Sequence, residues 1–250
     1  MLKRTEGIVL KNYSFGEADL IVTYLSRDYG VIKVFAKSPR KIKSRFGSSL
    51  EPLTYSKISF IGKEDANLPR LTQSDIIIPF HKLREDFDCF HKISEILQLS
   101  LNLLPERDSN IEVFNLLLNT LLKLQSNGNK DLYYLYCKTK LLEITGYSPR
   151  LDICGWCGDE VNISSGYPPA IRVSESLGQY NFYVSHGSII CKRCISDGNG
   201  STRLSSGALK FYRSFLRWDL FNIGRIKASE NLVAEISDLI NSHIRYIINR

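Results

Sequence analysis

The sequence lacks any long apolar run, which excludes a large class of proteins. No stretch approaches the ~18 uninterrupted apolar residues that a membrane-spanning helix needs. The amino terminus places Lys3, Arg4 and Glu6 where a signal peptide needs its apolar region, so we do not expect export. These two absences predict a cytoplasmic protein with no membrane partner.

Motifs of nucleotide-dependent and hydrolytic enzymes are also missing. The sequence has no G-x-x-x-x-G-K-[ST] phosphate loop, no G-x-G-x-x-G, no H-E-x-x-H and no G-x-S-x-G. Its four histidines lie outside any recognisable pattern of nucleophile and carboxylate: His81, His91, His186 and His243. We therefore expect no catalytic residues and no enzymatic activity.

Positive charge is concentrated near the amino terminus. The chain carries 33 Lys and Arg residues against 26 Asp and Glu, a net charge of +7. Residues 1–80 hold 13 basic and 8 acidic side chains, so they contribute +5 of this excess. Six cations follow one another between Asp28 and Glu51 with no acid among them: Lys33, Lys37, Arg40, Lys41, Lys43 and Arg45. Such a segment favours an anionic partner such as nucleic acid, although many charge runs only keep a protein soluble.

Five short β-rich runs within residues 1–80 predict a small closed barrel. They cover residues 8 to about 15, 20–25, 31–36, 54–61 and 71–80. An OB-fold and an SH3-like barrel fit this pattern equally well. Pro39 keeps the basic segment out of a central strand, so we expect a loop there. Aromatic residues near it could include platforms for unpaired bases: Tyr13, Phe15, Tyr24, Tyr29, Phe35 and Phe46.

Residues 81–250 change to helical periodicity. Apolar residues at steps of three and four predict helices over residues 82–104, 111–124, about 132–142, 205–218 and about 230–248. Ser205 is the expected N-cap of the fourth helix. The predicted fold class is α+β, with a β-barrel at residues 1–80 and a helical domain at residues 81–250.

Four of the six cysteines have the spacing of a metal site. Cys154 and Cys157 form one C-x2-C pair, and Cys191 and Cys194 form a second pair after 33 residues. Two such pairs complete a closed tetrahedral site, which predicts one structural zinc ion in a module at about residues 147–200. Metal-free thiols, two disulfides or an iron–sulfur cluster are the alternatives.

Three segments in order resemble a known family, the bacterial recombination mediator RecO. The first runs from Gly16-Glu17-Ala18-Asp19-Leu20-Ile21 through residues 23–25 to Tyr29-Gly30, and the second joins Ala36-Lys37 and its basic run to Phe46 and Leu50-Glu51-Pro52-Leu53. The third joins Gly146-Tyr147-Ser148-Pro149 and Leu151 to the cysteines and Gly158. Two positions depart from the family pattern, Ser38-Pro39 after the Ala-Lys pair and Ser188 after Gly187.

The resemblance implies an amino-terminal OB-fold that binds single- and double-stranded DNA, followed by a helical domain with a zinc site. Proteins of this family anneal complementary strands and, with RecR, help load RecA onto strands coated by single-stranded-DNA-binding protein, whose C-terminal tail they bind. Such a protein would be cytoplasmic and associated with the nucleoid. The matching phosphate contacts are Lys37, Arg40, Lys41, Lys43 and Arg45, and the matching metal ligands are Cys154, Cys157, Cys191 and Cys194.

Other functions fit the same residues less closely. A zinc-containing DNA-processing enzyme would need an acid, a base or a nucleophile, and no motif supplies one. A zinc-containing RNA-binding protein would differ in its ability to read the 2′-hydroxyl. A scaffold that binds only proteins would show no salt-dependent binding of DNA.

Overall fold

The structure is a computed structural model of the 250-residue chain. It describes all residues except 42–43, 64–67, 127–129, 162–178, 192, 195–200 and 250. The chain forms two compact units, Met1–Lys130 and Asp131–Arg250. The predicted domain border at residue 80 is a different division, and it stays a prediction.

The first unit begins with five strands that close into a barrel. They are β1 (Leu2–Phe15), β2 (Asp19–Ser26), β3 (Gly30–Ala36), β4 (Tyr55–Ile61) and β5 (Arg70–Ile78). Their order around the barrel is β1-β2-β3-β5-β4, and β1 is long enough to pair with both β2 and β4. All pairings are antiparallel except that of β3 with β5. The order is that of an OB-fold, so the predicted α+β class with an amino-terminal OB barrel is confirmed.

Alternating residues of the strands fill the barrel. The side chains of one face form a single apolar cluster that also includes two residues from the segment after β3. The cluster consists of Val9, Val22, Tyr24, Ile32, Val34, Ala36, Phe46, Leu50, Ile58, Phe60 and Leu71. The segment after β3 is therefore anchored at Phe46 and at a 3-10 turn, Gly47–Leu50.

The free edge of the first half of β3 pairs with a segment that is distant in sequence, and not with another strand. β3 meets β5 only at the Phe35–Arg70 pair, which leaves the edge of β3 near Val31 without a strand partner. Glu106 forms a parallel bridge with Val31, and the Arg107 N–H donates to the Val31 carbonyl at 2.9 Å. These contacts satisfy backbone groups that an open edge would leave exposed.

Three helices complete the first unit: α1 (His81–Glu85), α2 (Phe87–Leu103) and α3 (Ile111–Gln125). The single helix predicted over residues 82–104 is wrong, because the chain breaks at Asp86. The Asp86 carboxylate accepts a hydrogen bond from the Cys89 N–H at 3.0 Å and so caps α2.

In the described part of the second unit, four helices accompany a four-stranded sheet that the sequence did not predict. The helices are α4 (Lys130–Ile144), α5 (Ser206–Arg217), α6 (Leu220–Ile223) and α7 (Glu230–Ile248). The strands are β6 (Arg150–Cys154), β7 (Gln179–Tyr183), β8 (Ser188–Ile189) and β9 (Ser201–Ser205), in the order β6-β8-β7-β9. The predicted N-cap is confirmed, since the Ser205 hydroxyl accepts from the Ala208 N–H at 3.0 Å. None of the described helices is long and apolar enough to cross a membrane.

Candidate nucleic-acid interface and metal centre

The basic loop, which we define as residues 37–45, is fastened to the turn between β1 and β2. The Ser38 N–H donates to the Asp19 carboxylate at 2.6 Å, and the Arg40 N–H donates to the Ala18 carbonyl at 3.3 Å. Ser38 has a φ of 54°, in the left-handed region, so a residue that is not glycine makes the sharp change of direction after β3. These two contacts hold Ser38 and Arg40 beside the start of β2.

Four cations of this loop lie among the described residues, and their side chains are exposed to solvent. Lys37, Arg40, Lys41 and Arg45 are exposed, and none forms an ion pair with any residue that the structure describes. The Arg40 guanidinium donates only to the Ser14 hydroxyl, at 3.3 Å. The fifth predicted contact, Lys43, lies outside the described residues. Four of the five predicted phosphate contacts are thus placed together with their charges uncompensated by carboxylates.

Two exposed aromatic side chains lie at the same end of the barrel. Tyr13 is 45% exposed and Phe15 is 52% exposed, and both project from the same face of β1. The rings of Phe15 and Phe35 pack in an edge-to-face arrangement, with centroids 5.9 Å apart, and this contact supports the exposed Phe15 ring. Tyr24 and Phe46, by contrast, are buried in the barrel core and offer no surface to a base. The sequence alone did not predict which of these aromatic side chains are exposed and which are buried.

Ionisable groups near the loop are not all basic. Glu17 is exposed in the turn between β1 and β2, and Asp19, the first residue of β2, accepts the Ser38 N–H described above. The loop contributes four described cations against these two acidic side chains, so the net charge at this end of the barrel is positive. The combination of uncompensated cations and exposed aromatic rings is the pattern of a surface that binds unpaired nucleic acid.

In the second unit, the four paired cysteines come together as their spacing predicted. The four sulfur atoms all lie within 4.8 Å of one another; they belong to Cys154, Cys157, Cys191 and Cys194. The Cys157 and Cys191 sulfurs are 3.7 Å apart, and those of Cys191 and Cys194 are 3.6 Å apart. A tetrahedron with metal–sulfur distances of about 2.3 Å has edges of about 3.8 Å, whereas a disulfide needs about 2.05 Å. The donor set can therefore hold one tetrahedral metal ion, and it is compatible with zinc.

Two backbone turns orient the cysteine sulfurs towards one another. The Gly158 N–H donates to the Cys154 carbonyl at 2.9 Å, and the Cys194 N–H donates to the Cys191 carbonyl at 2.9 Å. Gly158 has a φ of 77°, which glycine adopts without strain. The Cys191 N–H points at the Cys154 sulfur at 3.3 Å and so joins the two turns. Such N–H groups stabilise thiolates, the form that binds a metal.

The hydrogen bonds shift the ionisation of two of the thiols in opposite directions. Burial opposes ionisation of Cys154, but N–H groups from Cys157, Cys191 and Trp156 lower its pKa to about 6. The Asp159 N–H lowers the pKa of Cys157, yet the Asp159 carboxylate, some desolvation and the neighbouring thiols raise it to about 12. Asp159 also forms an ion pair with Arg193, so it links the segments that carry the two cysteine pairs.

Comparison with known proteins gives matches across both parts of the chain. The family model "Recombination protein O N terminal" matches residues 1–80, and "Recombination protein O C terminal" matches residues 84–250. A "DNA repair protein RecO" from Thermodesulfovibrio yellowstonii is 46% identical over 245 residues, 96% of this chain and 91% of the relative. Proteins with the same name from Dehalococcoides mccartyi and Bacillus pumilus are 30% and 28% identical, covering 99% and 97% of this chain and 91% and 88% of the relatives.

Proposed function

Because the chain belongs to the RecO family of DNA repair proteins, we propose that it is a non-enzymatic recombination mediator. In this proposal it binds single- and double-stranded DNA, anneals complementary strands and, with RecR, assists RecA loading onto strands coated by single-stranded-DNA-binding protein. It would recognise the C-terminal tail of that protein and act in the bacterial cytoplasm, at the nucleoid. The observation that carries the DNA-binding part is the basic loop with its uncompensated charges beside Tyr13 and Phe15.

Charge neutralisation gives a physical route to annealing. Two DNA strands repel each other through their phosphates, and each phosphate that pairs with a cation of the basic loop removes part of that repulsion. Contacts of this kind carry no sequence information and leave base edges available for pairing. Stacking of unpaired bases on Tyr13 and Phe15 would add affinity for single strands, because a base within a duplex cannot offer its face to a ring.

The cysteine cluster has a structural part in this proposal. Four thiolates complete a zinc coordination sphere and leave no position for water or substrate, so the ion would fold the module around β6 and β8 and supply no Lewis-acid chemistry. Cys154, Cys157, Cys191 and Cys194 would hold it.

The salt dependence of DNA binding tests the role of the loop. Five phosphate contacts predict that log K falls with log salt with a slope of about −3.5 on single strands and about −4.5 on duplex. Replacing Arg40→Ala and Lys41→Ala together should reduce the single-strand slope by about 1.4 and slow annealing of complementary oligonucleotides coated by single-stranded-DNA-binding protein. The matched control is Lys57→Ala with Lys82→Ala, which removes two exposed cations elsewhere in the first unit.

Several outcomes would count against the proposal. If the loop variant and the control variant keep the same slope, the basic loop does not carry DNA. Equal or tighter binding of a matched RNA strand would favour the RNA-binding alternative, and cleavage of the oligonucleotides would favour a DNA-processing enzyme.

A further inference from the structure

A second basic site lies in the barrel, away from the basic loop. It is a cavity of about 210 Å³ where the start of β1 and the end of β4 meet the turn between β2 and β3. Ile32 and Phe60 supply apolar surface to it, and Tyr29 packs edge-on against Phe60 with ring centroids 5.6 Å apart. We call this cavity the barrel pocket.

Cations surround the apolar surface of the barrel pocket. They are Lys3, Lys33, Lys63 and Arg107, and no Asp or Glu is among the lining residues that the structure describes. Lys33 forms an ion pair with Glu106, just outside the lining. Neither Lys3 nor Lys63 forms an ion pair with a described residue; the Lys3 amino group lies 5.0 Å from the centre of the Tyr29 ring. The pocket is thus positive as well as apolar.

The pocket is a consequence of how the barrel closes. Because β3 pairs with β5 only at its far end, a gap remains beside Ile32 and Lys33. The segment with Glu106 and Arg107 runs along this gap, and Arg107 has a φ of 65°, in the left-handed region. The backbone therefore brings the Arg107 cation to the rim of the pocket.

The size and chemistry of the pocket select a small anionic group with a flat or apolar part. Its volume is below the ~300–1,000 Å³ typical of sites for whole small molecules. Lys37, the first residue of the basic loop, follows Lys33 by four residues, a distance of about 13 Å along an extended strand. A DNA strand with stacked bases covers this distance in about four nucleotides.

We propose that the barrel pocket is a second nucleic-acid subsite, which holds one phosphate-bearing nucleotide of a DNA strand. The phosphate meets Lys3 and Lys63, while the sugar or base lies against Tyr29, the partly buried ring of the lining. The inference rests on the proposed DNA-binding function and adds to it: the basic loop binds a short stretch of strand, and the pocket extends the path of the strand along β3.

Binding of oligothymidylates of two lengths tests the subsite. Strands of about 3 nucleotides are too short to span the ~13 Å between the two sites and so cannot occupy both, whereas strands of about 12 nucleotides reach both. The variant Lys3→Ala with Lys63→Ala should therefore bind the short strand normally and the long strand at least about tenfold more weakly. Its salt slope on the long strand should fall by about 0.7, because one phosphate contact is lost. The control is again Lys57→Ala with Lys82→Ala, since both lysines are exposed and lie outside the pocket.

The two proposals fail in different ways in this assay. If the pocket variant binds both lengths like the control, the subsite is overturned while the basic loop is unaffected. If Arg40→Ala with Lys41→Ala leaves short-strand binding unchanged, the proposed function of the loop fails instead.

A small probe checks the chemistry of the pocket directly. Thymidine 5′-monophosphate should shift the backbone amide resonances of Gly62 and Lys33 in NMR spectra, and thymidine without the phosphate should shift them less. An acidic peptide that shifts these resonances while the nucleotide does not would overturn the inference and indicate a protein partner.

Discussion

Arg84 joins the first helix to the barrel, and its replacement tests the packing of the first unit. Its Nη1 atom lies 3.1 Å from the Pro52 carbonyl oxygen, 2.8 Å from the Pro79 carbonyl oxygen and 3.1 Å from the Thr54 hydroxyl. Its Nη2 atom forms an ion pair with Glu51 at 2.8 Å. Only 19% of the Arg84 side chain is exposed.

Two of these acceptors, the Pro52 and Pro79 carbonyl oxygens, each precede a residue with a strained backbone conformation. Pro52 precedes Leu53, which has a φ of 70°, and Pro79 precedes Phe80, which has a φ of 48°. Both residues are completely buried, so the left-handed conformation turns each apolar side chain into the core. Such conformations cost about 1–3 kcal/mol each and persist only where the surrounding contacts hold them. Arg84 supplies those contacts from α1.

Arg84→Met should lower the free energy of unfolding of the first unit by about 3 kcal/mol. Nη1 has two protons for its three acceptors, so about two charge-assisted hydrogen bonds are lost, at about 1.5–3 kcal/mol each. Water that reaches the carbonyls after the substitution recovers part of this loss. The ion pair with the half-exposed Glu51 adds little.

Urea unfolding of the full chain, followed by a probe in the first unit, measures the change. Lys82→Met is the matched control, because this exposed lysine lies on the same helix; it should change stability by less than about 0.5 kcal/mol. Arg84→Lys should lie between the two, since one ammonium cannot reach both carbonyls and the carboxylate. A loss below about 1 kcal/mol for Arg84→Met would refute the argument that Arg84 holds the two left-handed residues.

Two further predictions concern the metal centre and the barrel. Elemental analysis of protein purified without added metal should give about one zinc per chain, and Cys157→Ser should lower this content; a metal-free protein with four reactive thiols would contradict the zinc assignment. Gly30→Ala should destabilise the first unit by more than about 2 kcal/mol, because Gly30 has a φ of 62° and a Cβ there would lie 2.0 Å from the Asp108 carbonyl oxygen. Gly16→Ala, with a φ of 65° but nothing within 4 Å, should cost only about 1 kcal/mol, and equal losses in thermal unfolding would show that the close approach to Asp108 is unimportant.

Local sequence patterns predict much of the secondary structure, because strands, helices, caps and tight turns depend mainly on residues that are close in sequence. The five barrel strands follow from β-branched runs and turns, and the predicted last helix matches α7 closely. Ser205 was recognisable as an N-cap because its hydroxyl satisfies an N–H only three residues away. The cysteine spacing likewise specifies a turn, so the approach of the four sulfurs could be predicted from the sequence.

Features that depend on distant partners could not be predicted in the same way. The strands β6 to β9 have between two and five residues, too few for an alternating pattern to be recognised. The break at Asp86 did leave a signal, an acidic residue just before an apolar helix, but the continuous apolar periodicity around it outweighed that signal. Tyr24 and Phe15 have the same β propensity, and only the closed barrel decides which ring is buried.

The charge available to a polyanion also follows from the fold and not from the count of cations. By sequence Lys33 belongs to the basic run, but its amino group pairs with Glu106, which lies 73 residues further along the chain. No local pattern predicts this pair, because β3 and the segment after α2 meet only when the barrel closes. A cation that must leave a carboxylate gains little by exchanging it for a phosphate, so Lys33 should contribute less to the salt slope than Arg40 or Lys41. The five phosphate contacts implied by the resemblance begin at Lys37 and do not include Lys33, which agrees with its pairing to Glu106.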